Sequence, residues 1–331
     1  MSASAVFALF SKIASGWHTQ DPVLKAWRPK LGTPTVLLRW TLTEWCNYRC
    51  PYCPQTHDRW APKGNGMTAH AFDNFPVEKW QEAFKRHFAR TRLSLVLTGG
   101  ETLIDRKSIV LFLNFVSTMP TTECIRIDTN VCWKPSLYEE LDRSKLILMC
   151  SYHPSQVEED VFFSRIKDVL SSGFRIGIVN YVMSGENIEA FRRLKQRAAQ
   201  LGVVFQPNPL WNSAGRYSHE DLELLRVELL PLDFQYRTQM ESPMGKTCRF
   251  PMLAYEMDVV GNITVGCHNQ LHGSFFDKFL PPLKKSRTPC PHHVCACLDK
   301  YSFLDGVHRN TSTDPLGTYS SLLRQRAATR T

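Results

Sequence analysis

Three cysteines crowd one short stretch, Cys46-Asn-Tyr-Arg-Cys50-Pro-Tyr-Cys53, a C-x3-C-x2-C array placed just after an apolar run. Thiolates at that spacing can hold three corners of an iron–sulfur cube and leave the fourth iron without a protein ligand, free to take a substrate or cofactor. His57 follows closely and would complete a Cys3His set for structural zinc instead. A second chemical stretch closes the next apolar run, where Leu93-Ser-Leu-Val-Leu97 leads into Thr98-Gly99-Gly100-Glu101. Paired glycines at a strand end let a ligand come close to the backbone. A carboxylate directly after them can pair with an ammonium group.

In that order the two stretches resemble the radical S-adenosylmethionine (radical SAM) superfamily, with its CxxxCxΦC hallmark, here with Tyr52 as Φ, and its GGE-type motif, here Gly99, Gly100 and Glu101. The resemblance implies a 4Fe–4S cluster on Cys46, Cys50 and Cys53 whose open iron binds S-adenosyl-L-methionine (AdoMet), with Glu101 and the glycine-lined strand end on the methionyl moiety. It also implies reductive cleavage to a 5′-deoxyadenosyl radical that takes hydrogen from a substrate, and a flavodoxin- or ferredoxin-type electron donor. Further matches place cofactor contacts at later strand ends. Thr129-Asn130 resembles the TNG segment, with Val131 in the glycine's place, and Ser151 resembles the strand-end serine that contacts the cofactor. Asn180-Tyr-Val-Met-Ser-Gly185-Glu-Asn187 resembles the strand-and-turn segment in which Asn180 touches AdoMet, and Gly185 to Asn187 also reads as a turn capping the helix at Ile188. His153, in Ser151-Tyr-His-Pro154, reads as a substrate contact or proton acceptor, or else as a structural histidine.

Near the C-terminus Cys248 precedes two apolar runs around Gly261-Asn262, a hairpin leading to Cys267, and Cys290-Pro-His-His-Val-Cys295-Ala-Cys297 follows. This segment resembles the twitch extension, a shortened SPASM domain that holds one auxiliary cluster. It departs from that pattern in having five residues between Gly261 and Cys267 and a C-x4-C-x-C end. Cys248, Cys267, Cys290, Cys295 and Cys297 thus compete for about four ligand places on a closed second 4Fe–4S cluster. A zinc knuckle helped by His292 or His293 is the alternative. A closed cluster near the substrate could receive an electron, which makes a net oxidation the expected reaction.

These residues need elements to position them. Strand patterns at 35–42, 93–98, 123–129, 145–151, 175–183 and 202–206 alternate with helical spacing, clearest at Val77/Trp80/Phe84/Phe88 and Ile188/Phe191/Leu194/Ala198. Such alternation predicts an α/β fold with a parallel sheet, functional residues gathering at the C-terminal strand ends. With the resemblance it becomes a partial (β/α)6 barrel with a small C-terminal α+β twitch-like extension. The expected organisation is an N-terminal helix and lead-in at 1–34 (Val6, Phe10, Ile13 and Trp17 at helical spacing), a core at 35–215, a helical bridge at 216–247, the auxiliary-cluster segment at 248–305 and a basic tail at 306–331. Ser218-His-Glu-Asp221 reads as a capping box opening a helix with Leu222, Leu225 and Leu229 on one face.

Composition bounds the class. The chain has 331 residues, 43% of them hydrophobic, ample for a sizeable core. Its 11 cysteines are clustered like metal ligands in a reducing compartment rather than spread as a disulfide framework, so a cytoplasmic setting is expected. Neither a membrane-spanning run nor a secretory signal is read. The formal charge of +9 suits an anionic substrate or an acidic redox partner, and equally a plain basic surface. The substrate expected is a small molecule, or a peptide bound without a leader domain, because the lead-in is too short for an independently folded leader-binding domain; a peptide maturase or a rearrangement enzyme of the same superfamily is the alternative. A Cys-rich zinc protein binding nucleic acid through Arg309, Arg324, Arg326 and Arg330 is the reading of another class, and it lacks a nucleic-acid fold signature.

Overall fold

The computed structural model describes residues 35–53, 55–183, 188–210, 217–229, 234–235, 238, 241–267, 272–294 and 304. The expected N-terminal helix, the Gly185 to Asn187 turn, Cys295, Cys297 and the basic tail lie outside the described residues.

Six parallel strands run side by side in chain order: β1 (Val36–Thr43), β2 (Leu93–Gly99), β3 (Thr122–Thr129), β4 (Leu146–Tyr152), β5 (Ile176–Met183) and β6 (Phe205–Pro209). Between them pass the four-residue α1 (Ala71–Asn74), then α2 (Val77–Phe88), α3 (Arg106–Thr118), a 3-10 turn at Pro135–Tyr138, α4 (Glu159–Ser171) and α5 (Ile188–Gln200). Strands alternate sides because side chains point to opposite faces of a pleat. Leu38, Trp40, Leu93, Leu95, Ile125, Ile127, Leu146, Leu148, Val179 and Tyr181 therefore join one core with Trp80, Phe84, Phe88, Phe112, Phe162 and Phe191 of the helices. Each such buried side chain contributes roughly 1.5–3 kcal/mol. Helices on one face of a sequentially ordered parallel sheet give the partial (β/α)6 barrel.

The opposite, inner face is built differently. Low on it lie two small apolar groups, one with Leu37, Val96 and Ala254, the other with Cys124, Ile147, Met149 and Ile178. Nearer the C-terminal strand ends it turns polar, with ion pairs Arg39–Glu256 (3.8 Å) and Arg126–Asp128 (2.7 Å) and an amide pair Asn180–Gln206 (2.8 Å).

After β6 comes α6 (His219–Glu228), opened by the expected capping box: Ser218 Oγ accepts from the Asp221 amide and Asp221 accepts from the Ser218 amide. Leu224, Leu225 and Leu229 are its buried apolar residues, with Leu222 only partly covered. Among the described residues the remaining elements are β7 (Thr247–Cys248), α7 (Phe250–Leu253), β8 (Ala254–Met257), β9 (Asn262–Val265), β10 (Gly273–Ser274) and β11 (Thr288–Pro289). The hairpin β8–β9 does not stand apart from the barrel. Leu37 to Trp40 of β1 pair in parallel with Ala254 to Met257 of β8, so among the described residues the sheet has nine strands in the order β10-β9-β8-β1-β2-β3-β4-β5-β6. Gly261 makes the hairpin turn at φ +83°, a left-handed conformation that favours glycine. Phe276 packs on Trp80 with ring centroids 4.8 Å apart and Phe275 on Phe84 at 4.9 Å, which welds this segment to α2.

Candidate functional site

β1 ends at Thr43 and delivers the cysteine loop to the C-terminal edge of the sheet. Cys46, Tyr48 and Cys50 are buried together, with Tyr52 and Cys53 packed against them. Arg49 staples the loop from outside, its Nη1 donating to the carbonyls of Cys46 (2.8 Å) and His57 (2.5 Å). The Arg49 amide donates to Gln156 Oε1 at 2.8 Å, tying the loop to the chain beyond β4.

The glycine pair makes the base of this loop. The Gly100 amide donates to Thr43 O at 2.6 Å and the Glu101 amide to Trp45 O at 2.9 Å. A Cβ at Gly99 would lie 1.8 Å from Thr43 O and one at Gly100 1.9 Å from Trp45 O, and Gly99 itself has φ +128°. The close approach that the sequence assigns to a ligand is thus made here by the chain's own backbone. Only glycine at both positions lets the end of β2 dock beneath the cysteines.

Glu101 is fully buried and ties β2 to β3. Its Oε1 accepts from Thr129 Oγ1 (2.7 Å) and the Leu103 amide (3.1 Å), its Oε2 from the Asn130 amide (2.6 Å). Burial raises its carboxyl to about 7, against the pull of those three donors. The tie aims Asn130, whose Nδ2 donates to Asn47 Oδ1 at 2.9 Å and reaches Cys46 Sγ at 3.6 Å. Val131, standing where the resembling segment has glycine, keeps the left-handed backbone at φ +60°. For a β-branched residue that is costly, on the order of 1–3 kcal/mol. Its fully buried side chain offsets part of the strain.

Ser151 pairs with Asn180 across β4 and β5, and Asn180 with Gln206 across β5 and β6, so the three form one row at the strand ends. Gln206 Nε2 donates to Asn180 Oδ1, leaving the Asn180 Nδ2 to donate elsewhere. His153 lies just past β4, with Nδ1 at 2.9 Å from Tyr52 Oη and 3.5 Å from Cys50 Sγ. Burial lowers its pKa to about 4, so the imidazole is neutral. Of the residues singled out in the sequence, Tyr52, Gly99, Gly100, Glu101, Thr129 and His153 surround or support the cysteine loop, while Ser151 and Asn180 lie along the adjoining row. Sequence reasoning missed Arg49 and Gln206, and quoted Asn130 within the TNG-like segment without giving it a role. Asn130 had a signal in its neighbour Thr129, and Gln206 had only its inward position on a strand.

The donor set fits an iron–sulfur cluster. Burial raises all three thiols, Cys46 to about 11, so a cation is needed to hold them as thiolates. His57 does not complete a tight zinc set. No three His, Cys, Asp or Glu side chains among the described residues converge on one ion, whereas a cubane spreads its ligands over separate irons.

The second cysteine group is assembled from farther afield. Cys248 on β7 pairs with Thr288 of β11, and Cys290 follows, its amide donating to Lys246 O at 2.9 Å. Cys267 and Cys290 pack against the small cluster that contains Cys248. His292 Nε2 is turned to the Cys267 carbonyl at 2.9 Å. Of the five candidates, the structure thus places Cys248, Cys267 and Cys290 at one small apolar cluster.

Among solved structures, anSMEcpe with bound AdoMet superposes with a TM-score of 0.51, 12% identity and coverage of 73% of this chain and 75% of that one. SuiB of Streptococcus suis bound to its precursor peptide SuiA superposes with a TM-score of 0.50, 13% identity and coverage of 90% and 71%. The likeness is one of fold. No protein-family model and no curated protein sequence matches the chain. No helix among the described residues is long and apolar enough to cross a membrane.

Proposed function

We propose that this protein is a radical SAM enzyme that abstracts hydrogen from a small-molecule or peptide substrate, with net oxidation. The observation that carries the reading is the gathering, at the C-terminal ends of one parallel sheet, of the cysteine loop, its Gly99–Gly100 base, the Glu101 tie and the Ser151–Asn180 row. Cys46, Cys50 and Cys53 would each give one thiolate to a 4Fe–4S cluster, which would leave one iron open to AdoMet. Bound there, cluster and AdoMet supply one-electron cleavage of the sulfonium and hydrogen-atom abstraction. Glu101 has about four lone-pair sites, three of them taken internally, and offers the last to the AdoMet ammonium. Asn180 Nδ2 and Ser151 Oγ hold the rest of the cofactor from the adjoining strands. The inner face above Met149 and Ile178 positions the substrate, and its Arg–carboxylate and amide pairs suit a polar one. The peptide option is supported by the fold shared with SuiB, which was determined with a precursor peptide.

In this reading Cys248, Cys267 and two of Cys290, Cys295 and Cys297 would hold a closed twitch-like second cluster, which would supply an acceptor for the electron left on the substrate. A flavodoxin- or ferredoxin-type protein supplies the electron for cleavage. The test is anaerobic purification and reconstitution, metal analysis, and assay of 5′-deoxyadenosine from AdoMet and dithionite. Iron with AdoMet-dependent 5′-deoxyadenosine is the expected result. Zinc without iron would overturn the reading.

A further inference from the structure

His153 is held between two tyrosines of the cysteine loop. Its ring stacks on Tyr52, interplanar angle 11° and centroids 6.1 Å apart, and meets Tyr48 edge-on at 5.9 Å. Its Nδ1 points at Tyr52 Oη and, a little farther off, at Cys50 Sγ. The Tyr52 hydroxyl reaches the Cys50 thiol as well and is also touched by Ser155. Two polar atoms, Nδ1 and Oη, thus converge from two strand ends on one sulfur.

Their hydrogens can be counted. A Cys50 thiolate on iron can only accept, so the hydrogens must come from Oη and Nδ1. The arrangement that uses the short 2.9 Å contact has Nδ1–H donate to Tyr52 Oη and Tyr52 Oη–H donate to Cys50 Sγ. It fixes the imidazole as the Nδ1–H tautomer and turns His153 toward the cluster loop rather than toward a substrate. Reduction adds negative charge that the ligand sulfurs share, and donors to such sulfurs favour the reduced state and raise the potential.

We infer that Tyr52 and His153 form a hydrogen-bond relay onto the Cys50 sulfur that sets how readily the cluster at Cys46, Cys50 and Cys53 accepts an electron. Both are positioning residues acting through Cys50. The inference rests on the proposed function, because it needs a cluster on that loop.

The experiment is a redox titration of the reconstituted full chain with dithionite in the absence of AdoMet. It is followed by the EPR signal of the one-electron-reduced cluster, with iron content measured in parallel. To isolate the N-terminal cluster, the background carries Ala at Cys248, Cys267 and Cys290. Tyr52→Phe removes one oxygen and keeps the ring, and His153→Phe removes Nδ1 and keeps a stacking partner. Each is expected to disfavour reduction about tenfold, a downward shift of about 59 mV for one electron. His153→Asn, whose amide nitrogen can stand near the Nδ1 position, should recover most of the difference. Full iron with an unchanged potential in Tyr52→Phe would overturn the relay and leave the proposed function intact. A His153→Asn shift as large as that of His153→Phe would assign the effect to ring packing and overturn it too. No iron in the parent chain would overturn the relay and the proposed function together.

Discussion

Cys46, Cys50 and Cys53 sit in one loop whose partners arrive from three strand ends, whereas Cys248, Cys267 and Cys290 come from separate short segments that only long-range pairing brings together. In the first group the cysteine spacing is written locally, and distant residues refine it: Glu101 through Asn130 on one side, His153 on the other. In the second group nothing local sets the spacing. β7 meets β11 over two residues each, and Cys267 follows a hairpin that pairs with β1 through β8. A ligand set made by a tight loop survives small shifts elsewhere. One made by pairing distant strands depends on the whole fold.

The largest effect should separate the two groups by chemistry. Ala at Cys46, Cys50 and Cys53 should lower iron from about eight to about four per chain and abolish 5′-deoxyadenosine formation. Ala at Cys248, Cys267 and Cys290 should remove a similar amount of iron and leave AdoMet cleavage in place. Equal loss of cleavage in both variants would erase the distinction drawn here.

A second pair of variants compares how rigidly each region is held. Gly100→Ala drives a Cβ to within 1.9 Å of a main-chain oxygen, Trp45 O, so the base of the cysteine loop must move. A loss above about 3 kcal/mol is expected in denaturant titration. Gly261→Ala meets a side-chain carbon, Phe276 Cε2 at 2.8 Å, which can shift, and pays mainly for φ +83°, about 1–2 kcal/mol. A Gly261→Ala loss equal to that of Gly100→Ala would mean that the hairpin is as tightly framed as the loop.

The smallest effect is a pH dependence confined to the first region. With Glu101 raised to about 7, folding favours its acid form, so the stability this group contributes is present below the ordinary carboxyl range and lost as pH rises through about 7. An AdoMet ammonium favours the carboxylate, so affinity should move the opposite way, tightening about tenfold between pH 6 and pH 8. Calorimetric binding of AdoMet to the reconstituted protein reads this directly. Glu101→Gln should bind more weakly and flatten the profile, and a slope that persists in the Gln variant would assign the titration to another group.

The parallel core was legible because its signals are local: apolar alternation, helical spacing and a capping box each act over a few residues. β6 shows the limit. The pattern places it at 202–206, but Gly202 takes φ +69° and the Val203 amide closes back on Ala198 O, so the turn that closes α5 takes up 201–203 and the strand begins at Phe205. Pro207 and Pro209 fit there because β6 is the edge of the sheet. Short α1, β7, β10 and β11 left no periodicity to read, and the pairing of β8 with β1 joins residues too far apart for any window. In the site, the residue types suggested ligands, while the contacts of Asn130 and Gln206, and of the Arg49 amide with Gln156, depend on which strand ends meet. Val131 falls between the two: the resembling segment shows the glycine replaced, and the structure shows that the left-handed backbone stayed.

The pairing of β8 with β1 also has a bearing on how the chain is made. Trp40 Nε1 donates to Asp258 O, a partner 218 positions later, and the whole β1 edge waits for that part of the chain. At roughly 5–20 residues per second of synthesis, β1 emerges some ten to forty seconds before the strand that covers it. During that interval it is an open, largely apolar edge able to pair with another nascent chain. Arg39, in the middle of the strand and later matched by Glu256, is the charge that guards it.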